Sequence, residues 1–151
     1  MPGARETRRL PYSAEQMFDL VADVERYPEF LPWVVATRIR SDSDIAMVAD
    51  MVVGFKAISE KFTSSVEKNR PHTIRVRYVD GPLRNLDNQW RFRALEANAC
   101  EIDFSVEFAF KSRLFEAVAG QYFDRAFRKM VAAFEARAAQ LYGQPQAVAS
   151  V

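Results

Sequence analysis

The chain has 151 residues, a length typical of one domain and sufficient to bury a hydrophobic core. Hydrophobic residues make up 49% of the chain and charged residues 27%, which is the composition of a folded protein rather than a disordered or fibrous one. The 21 basic and 20 acidic residues nearly cancel, so bulk charge does not predict a DNA-binding protein, although a local basic patch stays open.

The single cysteine, Cys100, excludes an internal disulfide and is typical of a reducing compartment. No apolar run approaches the roughly 18 residues of a transmembrane helix, and the first ten residues lack the apolar stretch of a secretory signal. We therefore expect a cytoplasmic protein, with peripheral contact at the inner face of a membrane left open. We expect one domain over residues 1–143 and a flexible tail over residues 144–151; the sequence leaves the oligomeric state open.

The first segments predict a strand and then a short helix. The stretch GARETRRL favours an opening strand. Ser13 is followed three residues later by Gln16, which is the spacing of a capping box at a helix N-terminus. Tyr12 before the cap and Met17 inside the helix have the spacing of a hydrophobic staple. A helix is therefore expected to begin after Ser13, with an apolar face that continues to Val24.

The next stretch, VERYPEFLPW (residues 24–33), combines large apolar side chains with two prolines and is called the rim segment below. Pro28 and Pro32 prevent a long regular helix, because proline lacks an N–H and restricts the residue before it. A loop this apolar is expected to cover something, since connecting loops are usually polar.

From residue 34 to residue 111 the hydrophobic period changes to two, which predicts about six antiparallel strands. The clearest alternation lies in the last strand, where apolar residues from Ile102 to Phe110 alternate with polar ones. Arg91 and Arg93 on the preceding strand are expected to face acidic residues of this strand and to help fix the register.

Residues 112–142 carry apolar side chains at spacings of three and four, which predicts an amphipathic helix of about thirty residues. Ser112 is a suitable N-cap, and Gly143 is a natural C-terminal stop. The predicted fold class is α+β: one strand, a short broken helix, about six further strands, and a long helix packed across the apolar face of the sheet.

The aromatic content predicts a cavity between the sheet and the long helix. The chain contains 12 Phe, 5 Tyr and 2 Trp. Rings on both surfaces tend to hold them apart, and an apolar gap is the usual form of a small-molecule site. The rim segment is then expected to lie over one end of this gap.

Few residues suggest catalysis. Glu60 and Ser64 share an inward face with Phe62. Each therefore either contacts the polar end of a ligand or lies at the solvent-exposed edge of the sheet. Lys56 is equally open between a ligand contact and a solvated charge. His72 is the only histidine and Cys100 has no partner spacing, so no metal site and no catalytic cofactor are predicted.

Four motifs carry a resemblance to a known family: YPEFLPW, VGFKAISEKFTSSV, GPLRNLDNQWRF and SRLFEAVAGQYFDRAF. Together with the order of elements, they resemble the START-like superfamily, and within it the branch of coenzyme Q-binding proteins, ribosome-association toxins and polyketide cyclase/dehydrase proteins. The resemblance implies a helix-grip fold (START/Bet v1-like) with about seven strands. It also implies non-enzymatic binding of a polyprenyl quinone such as ubiquinone, by a carrier that supports respiration and quinone biosynthesis.

The resemblance indicates which regions form the site, and the strand period selects the individual residues. The residues expected at the cavity mouth are Tyr27, Phe30, Leu31 and Trp33. The residues expected on the sheet side are Phe55, Glu60, Phe62, Tyr78, Trp90, Phe92 and Phe104. The residues expected on the helix side are Phe115, Val118, Tyr122 and Phe123.

Two alternatives stay open beside the quinone carrier. A ribosome-associating regulator would need a basic surface, for which the sequence offers the arginines Arg5, Arg8, Arg9, Arg38 and Arg40. A polyketide cyclase would need an inward acid or base, and Glu60 is the candidate. For the quinone carrier, the expected ligand is an isoprenoid lipid, bound as cargo rather than as a catalytic cofactor.

Overall fold

Seven strands and three helical segments follow one another in the order that the sequence pattern predicts. The structure is a computed structural model that describes residues 3–55 and 58–143, so the predicted tail at residues 144–151 lies outside the described residues. The strands are β1 (Gly3–Leu10), β2 (Val34–Asp42), β3 (Ala46–Phe55), β4 (Ile58–Asn69), β5 (Thr73–Asp80), β6 (Leu83–Glu96) and β7 (Ala99–Phe110). The helices are α1 (Ala14–Ala22), the 3₁₀ helix Val24–Glu29 and α2 (Arg113–Tyr142).

The seven strands form one antiparallel sheet in the order β1-β7-β6-β5-β4-β3-β2. The first and second strands of the chain therefore occupy opposite edges, and the others form a meander between them. Register shifts of the β-bulge type interrupt the pairs β2–β3, β4–β5 and β6–β7. Such bulges bend strands and increase their twist, which favours a sheet that wraps around a helix.

The capping box at the start of α1 forms as the sequence predicts. The Ser13 hydroxyl accepts a hydrogen bond of 3.0 Å from the Gln16 N–H, and the Gln16 side chain accepts one of 3.0 Å from the Ser13 N–H. Tyr12 and Met17, the expected staple, both lie in the hydrophobic core. These contacts fix where α1 begins and hence which of its faces meets the sheet.

Charge pairing across the outer face of the sheet follows the predicted register. Arg93 lies directly opposite Glu101, and the two side chains form an ion pair. Arg9 of the edge strand β1 also pairs with Glu101, at 3.3 Å, and Arg5 pairs with Asp103 at 3.0 Å. Exposed pairs of this kind contribute little individually, but they disfavour a one-residue slip that would bring like charges together.

Helix α1 closes one end of the sheet with a well-packed core. Its residues Met17, Phe18, Leu20 and Val21 are 1–3% exposed. Phe18 meets the ring of Phe92 edge-on at 5.6 Å between ring centres. Helix α1 therefore packs directly on this part of the sheet.

Helix α2 has the predicted length of 30 residues, and its C-terminal end is fixed to the rest of the chain. Gly143 follows the helix with a positive φ of 86°, a conformation that favours glycine, and so acts as the predicted stop. The Tyr142 hydroxyl donates to the Gln16 carbonyl oxygen at 2.9 Å, and the Tyr12 hydroxyl donates to that of Gly143 at 3.1 Å. Leu141 in the last turn of the helix is exposed.

Candidate ligand cavity

An apolar cavity of about 320 Å³ lies between the sheet, α2 and the rim segment. This volume is at the lower end of the range of about 300–1,000 Å³ that is usual for small-molecule sites. Its lining consists of Val24, Tyr27, Leu31, Trp33, Val34, Met51, Phe62, Ser64, Val66, Val76, Leu86, Asn88, Trp90, Phe104, Val106, Phe123, Ala126, Phe127, Met130 and Phe134. The structure thus contains the gap that the aromatic content of the sequence predicts.

Aromatic rings on both surfaces hold α2 away from the sheet. Phe127 packs against Phe104 of β7 with 5.4 Å between ring centres. About two helical turns further along, Phe134 packs edge-on against Trp90 of β6 at 5.3 Å. Since these bulky side chains meet ring to ring, the two backbones cannot approach more closely, and the space between the ring contacts stays open.

The rim segment is a rigid part of the cavity wall. The Tyr27 hydroxyl donates a hydrogen bond to the Val21 carbonyl oxygen, and burial, helped by the nearby Asp23 carboxylate, raises the pKa of Tyr27. The N–H groups of Phe30 and Leu31 both bond to the Tyr27 carbonyl oxygen, which closes the turn around Pro28. The segment that the prolines keep out of a long helix is therefore held by its own hydrogen bonds.

An ion pair joins the rim segment to α2. The Arg137 guanidinium donates to Glu29 at 2.7 Å and lies over the ring of Phe30, 5.2 Å from its centre. Arg26 also donates to the Glu29 carboxylate, at 3.1 Å. The hydrogen bonds from Arg137 and Arg26, in that order, lower the pKa of Glu29, so its carboxylate is ionised at neutral pH.

Two polar side chains, Ser64 of β4 and Asn88 of β6, interrupt the otherwise apolar lining. The Asn88 amide donates to the Ser105 carbonyl oxygen at 2.9 Å, and its own oxygen accepts from the indole N–H of Trp90 at 2.9 Å. Ser64 is 5% exposed. The lining as described contains no Asp, Glu, His, Lys or Arg.

Seven of the residues chosen from the sequence line the cavity. They are Tyr27, Leu31, Trp33, Phe62, Trp90, Phe104 and Phe123. They come from the rim segment, from three strands and from α2, so the structure brings together all the regions that the family motifs indicated. That these side chains bind a ligand stays a prediction.

Four further residues lie outside the lining. Phe30 packs behind it, between Phe134 and Arg137, and Phe92 packs under α1 against Phe18. Tyr78 points its hydroxyl at the backbone of the following turn, where it accepts from the Leu83 N–H at 3.1 Å. Glu60 is half-buried opposite Val53 and is not among the lining residues, and its proposed acid–base role stays a prediction.

The remaining predicted positions fall outside the described part of the structure. Lys56 is not described, and nothing is described of the side chains of Phe55, Phe115, Val118 and Tyr122. Their roles at the site stay predictions.

The sequence analysis did not assign several lining residues to the site. They are Val24, Val34, Met51, Val66, Val76, Leu86, Asn88, Val106, Ala126, Phe127, Met130 and Phe134. On α2 the missed residues continue the spacing of three and four from Phe123, so the helical period indicated the face. The period does not say how far along the sheet the cavity extends, so Ala126, Phe127, Met130 and Phe134 were not assigned to it.

The two other chemically reactive candidates lie away from the cavity. Cys100 is fully buried, as expected of a small apolar side chain, and burial, together with the Glu15 carboxylate, raises its pKa to about 11. His72 is exposed in the turn between β4 and β5.

Residues 3–55 and 58–143 contain no cluster of side chains that could hold a metal ion. Within the same ranges, none of the helices has the length and apolar character needed to cross a membrane.

The predicted arginine cluster is not one surface. Arg5, Arg8 and Arg9 lie on β1 at one edge of the sheet, and Arg38 and Arg40 lie on β2 at the opposite edge. All except Arg38 are paired with carboxylates in the structure. The pattern failed here because sequence proximity within each strand does not reveal the order of strands in the sheet.

Comparison with known families agrees with this geometry. Residues 10–135 match the family model described as polyketide cyclase / dehydrase and lipid transport. The chain belongs to this family. The match runs from the end of β1 to the last turns of α2 and therefore includes every element around the cavity.

Two relatives of this chain carry different names. The ribosome association toxin RatA of Escherichia coli is 38% identical over 142 residues, which cover 94% of this chain and 90% of that protein. The mitochondrial coenzyme Q-binding protein COQ10 homolog B of Xenopus laevis is 36% identical over 145 residues, which cover 93% of this chain and 59% of that protein. Both belong to the branch that the sequence motifs indicated.

Solved structures support the fold. A START superfamily protein from Mycobacterium smegmatis superposes with a TM-score of 0.74, covering 92% of this chain and 98% of that one. The sequence identity is 17%, so the likeness concerns the fold alone. It agrees with the predicted helix-grip arrangement, a seven-stranded antiparallel sheet with a long C-terminal helix.

Proposed function

We propose that this protein binds a polyprenyl quinone, or an isoprenoid lipid of similar shape, in the cavity and carries it without chemical change. The observation that carries the proposal is the lining itself, in which every described side chain except Ser64 and Asn88 is aliphatic, aromatic or methionine. Burial of each isoprene unit contributes about 3 kcal/mol, before the costs of association, so a short stretch of tail would give useful affinity.

The size of the cavity limits how much of such a ligand it encloses. About 320 Å³ suits a ring with a short length of tail, whereas a long polyprenyl tail would extend beyond the lining. The proposed role is therefore to hold the head of the lipid while the tail stays in a membrane or on the protein surface. A carrier of this kind would serve respiration and quinone biosynthesis, and the name of the Xenopus relative supports the choice of ligand.

Titration with a short-chain ubiquinone tests this proposal. Trp33 and Trp90 both line the cavity, so a bound quinone should quench tryptophan fluorescence in a saturable way. Native mass spectrometry of freshly purified protein should also show a bound isoprenoid lipid. Absence of a copurified lipid together with fluorescence that does not respond to quinone would refute the proposal.

A pair of variants on α2 links binding to the cavity. Ala126 lines the cavity, whereas Ala132 is exposed on the same helix. Ala126→Phe should fill the space and weaken quinone binding at least about 10-fold, because the ring takes the volume that the ligand needs. Ala132→Phe adds the same ring at an exposed position and should bind as the wild type does.

Ribosome association is the second candidate, and one surface favours it. The Escherichia coli relative is named a ribosome association toxin. Arg125, Arg128 and Lys129 lie within about one turn on the exposed face of α2. None of them forms an ion pair with another residue that the structure describes. Free basic side chains of this kind could contact the phosphates of ribosomal RNA.

Cosedimentation with ribosomal subunits at several salt concentrations tests the second candidate. Binding through phosphates should weaken steeply with salt, and the triple variant R125E/R128E/K129E should abolish it. The double variant R38E/R84E reverses two exposed arginines on the sheet and serves as the control. Equal loss in both variants, or no cosedimentation at low salt, would reject this candidate.

A further inference from the structure

The two polar side chains of the cavity differ from all other described lining residues, and Ser64 is the simpler of the two. It is 5% exposed and lies among apolar neighbours in the cavity wall. No group among the described residues makes a hydrogen bond with its hydroxyl. The Ser64 oxygen is not among the fully buried unpartnered atoms of the described residues, so its hydroxyl is open to the cavity and can bond to a group placed there.

Asn88 is held in one orientation by two partners. The indole N–H of Trp90 can only donate, so the atom of Asn88 that it meets at 2.9 Å is the amide oxygen. The carbonyl oxygen of Ser105 can only accept, so the atom that it meets at 2.9 Å is the amide nitrogen. The second N–H of the Asn88 amide has no described acceptor. Asn88 is thus fixed as a hydrogen-bond donor in the cavity wall.

The sheet register places these two groups on either side of β5. Ser64 of β4 pairs with Tyr78, and Asn88 of β6 pairs with Val76, two residues earlier on β5. Val76 itself lines the cavity between them. Two strand spacings amount to about 10 Å and the two-residue offset to about 7 Å, so the two Cα atoms lie about 12 Å apart and a single ligand oxygen cannot meet both groups. A ring seated over Val76 with oxygen atoms at opposite ends can meet both.

We propose that Ser64 and Asn88 form a polar subsite that donates hydrogen bonds to the two carbonyl oxygens of a quinone ring, and that the cavity holds the oxidised quinone in preference to the quinol. This inference rests on the proposed function. It adds the redox state of the bound ligand and the residues that distinguish the quinone from the quinol. The quinone ring has only acceptors, which match the fixed N–H of Asn88 and the free hydroxyl of Ser64.

The quinol fits the same subsite less well. Its two hydroxyl groups must each donate a hydrogen bond, and the Asn88 oxygen already accepts from Trp90. The Ser64 hydroxyl can accept from one of them, which leaves the other buried without a good acceptor. The cost of one such unsatisfied group corresponds to about a 5- to 10-fold weaker affinity for the quinol.

The experiment compares three probes on the purified full chain: a ubiquinone with two isoprene units, its quinol kept reduced under anaerobic conditions, and a prenyl hydrocarbon of equal tail length without a ring. The wild-type protein should bind the quinone about 5- to 10-fold more tightly than the quinol. Ser64→Ala should weaken quinone binding about 5- to 10-fold and leave hydrocarbon binding unchanged.

Matched variants separate the subsite from the rest of the strand. Ser65→Ala removes the same hydroxyl one residue along β4, where the side chain points to the other face of the sheet, and should bind all three probes as the wild type does. Asn88→Leu should also weaken quinone binding. It additionally leaves Trp90 and Ser105 without partners, so Ser64→Ala, which disturbs no protein contact, is the decisive variant.

The outcomes distinguish the subsite from the proposed function. Equal binding of quinone and quinol, or unchanged quinone affinity in Ser64→Ala, would overturn the subsite while the cavity remained a lipid site. Failure of the wild-type protein to bind either the quinone or the hydrocarbon would overturn the proposed function, and the subsite with it.

Discussion

The Arg137 guanidinium of α2 donates a hydrogen bond of 2.7 Å to the Glu29 carboxylate, and this contact joins the long helix to the rim segment over the cavity. Arg137→Gln should loosen the rim segment, since it removes both this ion pair and the contact over the Phe30 ring. We expect the amide hydrogens of Phe30 and Leu31 to exchange about 3- to 10-fold faster in the variant. Hydrogen exchange followed by mass spectrometry measures this rate.

Arg26→Gln is the matched control for this prediction. Arg26 also donates to Glu29, at 3.1 Å, but it belongs to the same short helix and makes no link to α2. Exchange in Arg26→Gln should therefore stay within about 2-fold of the wild type. If both variants exchanged equally fast, the link between the rim segment and α2 would have no particular role.

Acid should release the rim segment only at low pH. The hydrogen bonds from Arg137 and Arg26 lower the pKa of Glu29 below its usual value. A carboxylate with a lowered pKa in the folded state contributes stability above its unfolded pKa and loses it as the pH falls through the folded value. Exchange of the rim segment should therefore be constant from pH 7 to 5, after correction for the intrinsic rate, and should rise below about pH 4. In Glu29→Gln this rise should be absent; a rise between pH 7 and 5 in the wild type would contradict the assignment.

Gly81 allows the turn between β5 and β6 to pack closely against β4. Its φ is +141°, and a Cβ atom there would lie 2.8 Å from the Cβ atom of Phe62, a cavity residue. Gly81→Val should lower the free energy of unfolding by about 2–4 kcal/mol, because the added side chain both strains the backbone and displaces Phe62. Urea denaturation measures this change.

A substitution at Gly120 is the control for Gly81→Val. It lies on the exposed face of α2, and a Cβ atom there would have no heavy atom within 4 Å. Gly120→Ala should raise the free energy of unfolding by up to about 1 kcal/mol through helix propensity alone. Similar stability of Gly81→Val and the wild type would show that the close approach at Phe62 is not a constraint.

Cys100 should be almost inert in the folded protein. Its side chain is fully buried, and burial is the main reason that its pKa rises to about 11. At pH 8 the thiolate fraction should therefore be at least about 100-fold smaller than for a free cysteine, whose pKa is about 8.5. Reaction with a disulfide reagent at pH 8 should be fast in urea and at least about 100-fold slower in buffer. Rapid reaction of the folded chain would show that the end of the sheet under α1 opens readily.

The sequence predicted the faces of the elements well. The period of two correctly placed Phe62, Ser64 and Val66 on the inner face of β4, and the capping box correctly placed the start of α1. These features depend on neighbours within a few residues, so local pattern is sufficient to find them.

The position of the cavity along those faces could not be read from the same patterns. Phe92 and Trp90 share one face of β6, yet α1 covers Phe92 and only Trp90 reaches the cavity. Asn88, one step further along the same face, was missed because a polar side chain in a strand usually faces solvent. Which residues lie under α1 is decided by tertiary packing, which has no periodic signature.

The most direct test of the central claim is methyl NMR of the methionines during titration with a short-chain ubiquinone. Met51 and Met130 line the cavity, whereas Met17 and Met47 lie in the packed core outside it. A ligand held in the cavity should shift the methyl signals of Met51 and Met130 in proportion to occupancy and leave those of Met17 and Met47 nearly unchanged. Saturation of binding with no change at Met51 and Met130 would show that the ligand binds elsewhere, and the cavity would then not be its site.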